Sequence, residues 1–321
     1  MPTMFFHCYL EDRPSGGQKD TYRHVDALNA LGYDAFVFHD QSGHRLTWFD
    51  HETRVIGRNE FLRIIDPERD YVVLPEDLGD RILQYPGRKK VVFNKSIWTG
   101  FSTITSQRTE LSPYRHPDVI AALVMSRHNA AHLEYAYPRL PTFIVKPHID
   151  GDLFSPQPLC GRKKRIAYVP KVPKSVAALH HMLAARAMSG EEHLKNLQWF
   201  ELVDLPEREV AITLQESLLF VFLSAEEGLG RIVLEAMSAG CIVMGFRNGT
   251  LQEILSPEML FEWGDLIGVA KGIEQIVRSF PDQVEEYGLI AAKSQARARE
   301  YYADAHKESV SAAWQQILQL G

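Results

Sequence analysis

Ser224-Ala-Glu-Glu-Gly-Leu-Gly-Arg-Ile-Val-Leu-Glu-Ala-Met-Ser-Ala-Gly240 decides the fold. It follows the apolar run Leu218 to Leu223, passes two glycines and then takes up helical apolar spacing. A buried strand, a glycine turn and a helix form the repeating unit of a parallel α/β sheet, where ligands sit beyond the carboxyl ends of the strands. The glycines let a ligand approach the backbone, and the free N–H groups opening the helix suit an anion such as phosphate. Glu227 lies in the turn and Glu235 in the helix; a carboxylate accepts hydrogen bonds from both hydroxyls of a sugar diol. On spacing alone, Glu227, Arg231 and Glu235 would equally form a solvated ladder worth ~0.3 kcal/mol per pair.

Outward from this stretch, strands and helices alternate. Ile166–Val169, Leu197–Val203, Leu218–Leu223 and Cys241–Met244 read as strands, with helices over 176–188, 207–216, 231–239 and 268–278. Residues 284–320 read as further helix. Toward the N-terminus, Phe5–Leu10, Ala35–Phe38, Tyr71–Leu74, Val91–Phe93, Ile120–Met125 and Thr142–Val145 form a second series, with a helix over 21–31 stopped by Gly32. Short apolar runs between helices predict parallel sheets covered on both faces. Breakers and the charge run Arg162-Lys-Lys-Arg165 suggest a linker between 150 and 165, whereas 41–70 follows no clear pattern. At 321 residues the chain has room for about two domains.

The net charge of −6 argues against a wholesale nucleic-acid binder. Cys8, Cys160 and Cys241 form no CxxC, so neither a disulfide framework nor a cysteine zinc site is indicated. No signal-peptide pattern opens the chain and no apolar run approaches the roughly 18 residues of a membrane span, so the expected location is cytoplasmic, with peripheral contact at the inner membrane face left open. HExxH, P-loop, Gly-x-Ser-x-Gly and dinucleotide patterns are absent.

Glu227-Gly-Leu-Gly-Arg-Ile-Val-Leu-Glu235-Ala-Met-Ser-Ala-Gly240 resembles the hallmark of the retaining GT-B glycosyltransferases, specifically GT4. Pro147-His-Ile-Asp-Gly-Asp-Leu-Phe-Ser-Pro156 resembles the phrase that ends the family's first domain, and Ser15-Gly16-Gly17 its N-terminal glycine loop. The resemblance implies two Rossmann-like domains facing a cleft: an acceptor-side domain over 1–155, a donor domain over 156–295 and a C-terminal helix over 296–321 crossing back to the first. It implies transfer of a sugar from a nucleotide-sugar donor to a hydroxyl acceptor such as a glycan, lipid-linked glycan or small molecule, in glycan or surface polysaccharide synthesis. No cofactor and no metal are expected.

By the same resemblance, Glu235 binds the donor ribose and Glu227 the transferred sugar. Gly16 and Gly17 approach the diphosphate, and Gly228, Leu229, Gly230, Asn248, Gly249 and Thr250 line the donor. The family's diphosphate-binding Arg and Lys are replaced here by Lys171 and Lys174 at shortened spacing. Asn94 stands where many relatives place a histidine, with Lys95 beside it as a phosphate candidate, and Asp150-Gly-Asp152 reads as a turn rather than a metal motif. Trp98, Phe101 and Tyr114 fall where an acceptor would rest. Competing readings are a catalytically silent nucleotide-sugar binder, a GT-B phosphorylase or epimerase, and a nucleic-acid-modifying glycosyltransferase.

Overall fold

The structure is a computed structural model that describes residues 1–104 and 112–320. It divides into two compact units. One comprises Met1–His148, Glu227–Leu229 and the chain from Ala303 onward; the other comprises Ile149–Glu226 and Gly230–Tyr302.

The first unit alternates β1 (Thr3–His7), α1 (Gly16–Ala30), β2 (Asp34–His39), β3 (Val55–Gly57), α2 (Arg58–Ile64), β4 (Tyr71–Pro75), β5 (Lys89–Asn94), α3 (Ile97–Ser102), β6 (Val119–Val124), α4 (Arg127–Ala136) and β7 (Thr142–Ile144). Its seven strands are parallel, in the order β3-β2-β1-β4-β5-β6-β7. Every residue of β4 is buried, which is why that strand reads as a continuous apolar run rather than an alternation. Gly32 adopts φ 87° just after α1, as expected of a helix stop. Segment 41–70, which follows no sequence pattern, holds only the three-residue β3 and the short α2 as regular elements.

The second unit contains β8 (Lys163–Tyr168), α5 (Pro173–Met188), β9 (Gln198–Glu201), α6 (Glu207–Glu216), β10 (Ser217–Phe222), α7 (Arg231–Ser238), β11 (Ile242–Phe246), α8 (Leu251–Ile254), β12 (Leu260–Phe261), α9 (Leu266–Ser279) and α10 (Val284–Arg299). Its parallel sheet runs β12-β11-β10-β8-β9. The final helix, α11 (Ala303–Leu320), returns to the first unit as expected. There Trp314 is fully buried, its Nε1 donating to His24 Nε2 at 2.7 Å. The two sheets, each parallel and interleaved with helices, give the expected GT-B architecture.

Two sequence expectations need correction. Residues 150–165 are not a loose linker. Phe154 is fully buried, and Gln215 Nε2 donates to the Leu153 and Ser155 carbonyls at 3.1 and 3.0 Å. Arg162 donates to the carbonyls of Ser217, Gln157 and Ala239, and Lys163 already belongs to β8, where it and Arg165 pair with Glu216. The charge run is therefore a strand start with Arg162, Lys163 and Arg165 engaged. Second, 284–320 is not continuous helix: it breaks between α10 and α11, where the Tyr301 carbonyl accepts from Ile149 N–H at 2.9 Å and the Tyr302 hydroxyl meets Ser238 Oγ at 2.7 Å.

Candidate functional site

The carboxyl end of β10 leads into the turn that carries the paired glutamates. Gly230 caps α7 at φ 60°, ψ 60°, a left-handed conformation that glycine adopts without steric cost, and no side chain caps the helix. Glu235 is 6% exposed, and its Oε1 lies 3.5 Å from Nη1 of Arg231, itself nearly buried. A solvated ladder is therefore the wrong description of this pair, which is held in a low-dielectric setting where charge and hydrogen bonding act strongly. Leu229 and Glu227 are buried as well.

Beside this turn, the loop after β11 is organised by Asn248. Its Nδ2 donates to the Ser224 carbonyl at 3.0 Å, tying the loop to the end of β10. Its Oδ1 accepts from Thr250 N–H, the Thr250 hydroxyl and Leu251 N–H at 3.0, 2.9 and 2.7 Å. Thr250 is 1% exposed, so its side chain shapes the loop from within. Lys171 lies between β8 and α5, exposed, with its ammonium 5.9 Å from the Phe222 ring centre at the end of β10. Lys174 sits exposed in the first turn of α5, next to Pro173. The second unit thus gathers Lys171, Arg231, Glu235 and the loop 248–250 around the carboxyl edge of its sheet, where a doubly wound sheet takes its ligand.

In the first unit, Gly16 and Gly17 open α1, whose N-cap Ser15 makes no side-chain capping bond. A Cβ on Gly17 would stand 3.2 Å from Lys95 Cδ, so the glycine loop and Lys95 are neighbours. Glu227–Leu229 count with this unit and rest on a polar seat. Ser126 Oγ donates to the Gly228 carbonyl at 2.8 Å and accepts from Asn129 N–H at 3.1 Å, while Asn129 Nδ2 donates to the Lys95 carbonyl at 3.1 Å. A Cβ on Gly228 would lie 1.5 Å from that carbonyl oxygen, so no side chain fits there.

Sequence reasoning missed the group beneath this seat. Glu76, directly after β4, accepts from Ser96 N–H at 2.8 Å. Burial pushes its carboxyl up to about 7, against the pull of the Lys95 charge. Asn94 donates from Nδ2 to the Tyr114 hydroxyl at 2.8 Å. A carboxylate pair immediately after an apolar strand, Glu76-Asp77, was the available signal. Of the candidate acceptor aromatics, Tyr114 is 3% and Trp98 43% exposed.

Asp150-Gly-Asp152 is a turn, in which Asp150 Oδ1 accepts from the Asp152 and Leu153 N–H groups. Glu191, His193 and Glu274 come within reach of a shared cation, but both carboxylates are engaged by Arg186 and Arg278. No helix among the described residues is long and apolar enough to cross a membrane.

Residues 187–289 match the family described as Glycosyl transferases group 1. An Alpha-1,6-glucosyltransferase of Actinobacillus pleuropneumoniae serotype 7 (strain AP76) is 23% identical over 316 residues, spanning 92% of this chain and 91% of that protein. Among solved structures, a sucrose-phosphate synthase from Thermosynechococcus elongatus superposes with TM-score 0.73 at 14% identity, each chain covered completely. Anabaena HepE in complex with UDP and glucose follows with TM-score 0.68 at 12% identity, over 98% of this chain and 100% of that one. An alpha-glucosyltransferase in complex with UDP-glucose and DNA containing an abasic site gives TM-score 0.65 at 11% identity, over 98% and 99%. Motif and fold thus converge on a glycosyltransferase of GT-B architecture, with the group 1 match spanning residues 187–289.

Proposed function

We propose that the protein moves a sugar from a nucleotide-sugar donor to a hydroxyl acceptor with retention at the anomeric carbon, and that the second unit is its donor domain. The observation that carries this reading is the nearly buried Glu235 beside Arg231, one turn into the helix that follows β10. Glu235 accepts the two ribose hydroxyls of the donor; Arg231 holds its carboxylate in place. Backbone groups of Gly228, Leu229, Gly230, Asn248 and Gly249 line the donor, since the Asn248 and Thr250 side chains are spent on loop shape. Lys171 and Lys174 offset the charge that builds on the departing diphosphate, so the transfer proceeds without a metal ion. Gly16 and Gly17 leave their backbone open to that diphosphate.

Glu227 orients the transferred sugar and does not attack it. As the bond from the anomeric carbon to the diphosphate oxygen breaks, the acceptor oxygen bonds to the same face and its proton passes to the leaving phosphate oxygen. UDP-glucose is the first donor to test, because HepE and the alpha-glucosyltransferase bind UDP species and the Actinobacillus relative is named a glucosyltransferase. The DNA in that last complex carries over no acceptor at 11% identity, and the net charge of −6 favours a glycan or small-molecule hydroxyl, reached in solution or peripherally at a membrane.

Calorimetric titration with UDP-glucose, GDP, dTDP and ADP sugars tests the reading. One donor binds saturably, and Glu235→Ala weakens it at least tenfold, about the 1.4 kcal/mol that a charge-assisted hydrogen bond supplies. Binding unchanged in the variant would sink the assignment of Glu235. The anomeric configuration of the product, read by NMR, tests retention, and an EDTA-insensitive rate tests metal independence.

A further inference from the structure

A cavity of about 590 Å³ lies wholly within the first unit, around the start of β6 and the segment that leads into β7. It shares no residue with the loops assigned to the donor. Its aromatic wall is Tyr114 and Tyr137, whose ring centres lie 4.9 Å apart. Both hydroxyls are fixed, Tyr114 accepting from Asn94 Nδ2 at 2.8 Å and Tyr137 bonded to Ser112 Oγ at 2.9 Å. Pro138 adds a rigid apolar face. Arg115 and Arg139 line the same cavity and are exposed, and neither guanidinium has an ion-pair or hydrogen-bond partner among the described residues. The nearby carboxylate, Asp118, is already engaged by Lys90 at 3.6 Å and His116 at 3.8 Å, so it does not neutralise them.

Fixed aromatic and proline faces with two free guanidiniums make a particular kind of site. The forked donors of arginine match carboxylate and phosphate oxygens in pairs. Tyr114 is 3% exposed and backs the wall, so the flat face offered to the C–H side of a sugar ring is that of Tyr137 and Pro138, and the volume is that of a small-molecule pocket. A wall already held by hydrogen bonds loses little freedom on binding. In a chain of net charge −6, a local cationic cavity also marks a place where an anion is drawn in against the overall field.

We propose that this cavity is a second saccharide site, which takes a carboxylate- or phosphate-bearing sugar of the acceptor through Arg115 and Arg139. The word acceptor rests on the glycosyltransferase reading above; the anionic saccharide does not. Calorimetry on the full chain uses trigalacturonate and glucose 6-phosphate as probes, with maltotriose, inorganic phosphate and anionic phosphatidylglycerol vesicles beside them. At least one charged saccharide binds saturably, maltotriose does not, and Arg115→Ala with Arg139→Ala weakens the charged ligand tenfold or more. Both positions are exposed, so the fold is retained; an unchanged Tm and unchanged UDP-glucose binding in the double variant verify this.

Equal binding of maltotriose, binding untouched by the double variant, inorganic phosphate as tight as the charged sugars, or capture by vesicles alone would each overturn the proposal. Failure of UDP-glucose and every other nucleotide sugar to bind, with charged-saccharide binding intact, would instead remove the transferase reading and leave the site standing.

Discussion

Strand β1 of the first unit ends in the buried His7 and β2 in the buried His39, with His24 fully buried against Trp314. In the second unit, β10 and β11 end in Phe222 and Phe246, and the surrounding core is mostly Leu, Ile and Val, with Met244, Met259 and Tyr287 and no histidine among the described residues. The two parallel sheets thus reach similar architecture with different interiors. An imidazole at a strand end must stay neutral to be buried. Burial lowers His7 to about 4 and His39 to about 4, in both cases outweighing opposing contacts, and drives His24 well below the usual histidine value. The first unit therefore has a core whose stability depends on pH in a range where the second unit, with no buried histidine among the described residues, has no matching groups.

The largest expected effect follows from these three groups. Their folded values lie below the unfolded value of about 6.5, so the native state binds fewer protons. Their contribution is fully present above pH 6.5; that of His7 and His39 is lost as pH falls toward 4, on the order of a few kcal/mol each, and that of His24 falls in the same direction. Glu76 works in the opposite sense. Its folded value of about 7 exceeds the ordinary carboxylate value, so it destabilises the native state above pH 7 and is relieved as pH falls toward 4.5. Hydrogen exchange at pH 7.5 and pH 5 should show protection falling in β1, β2, β4 and α11 before β8, β10 and β11. Glu76→Gln should make the acid loss steeper. Equal loss in both units would break the comparison.

Trp314→Ala comes next. It empties the space beside Tyr71, 5.6 Å away between ring centres, and strips His24 Nε2 of its donor. A cost of about 3–5 kcal/mol is expected, read by urea unfolding and confined to the first unit. Arg162→Ala is its counterpart in the second unit: it removes the donor to the buried Ala239 carbonyl, leaves the Ser217 carbonyl only the Cys241 thiol at 3.7 Å, and should cost about 2–3 kcal/mol. The smallest effect is a gain. Gly288 lies inside α10 with open space where a Cβ would go, so Gly288→Ala should raise stability by about 0.5–1 kcal/mol.

The legible parts of the sequence were those whose signal is local. The buried strands β4, β5, β6 and β10 each appear as an apolar run because both faces are covered. The helix α6 runs over the residues its periodicity indicates. β3 escaped because three residues, two half-exposed and one a buried glycine, carry no period, and the turn between α10 and α11 escaped because no Gly or Pro marks it. Arg162-Lys-Lys-Arg165 misled for another reason: beyond local bonds such as Arg162 to Gln157, its partners lie about 50 to 80 residues further on, at Ser217, Glu216 and Ala239.

The candidate site divides the same way. Glu227 and Glu235 are visible in their spacing, whereas the burial of Arg231 with Glu235 is a tertiary fact. The seat under Gly228 joins Lys95, Ser126 and Asn129 from separate loops, and no window of sequence contains it.

The return of α11 has a consequence for the order in which the molecule is made. Residues 149–302 leave the ribosome with every strand of their sheet and all of the second unit in hand. The first unit is begun earlier but stays unfinished until Trp314 emerges, because the wall facing His24, Phe6 and Tyr71 is synthesised after the whole second unit. N-terminal domains ordinarily fold first during synthesis. Here the unit begun first is completed only after the other has been made, and its open apolar face is the one a chaperone would meet on the nascent polypeptide.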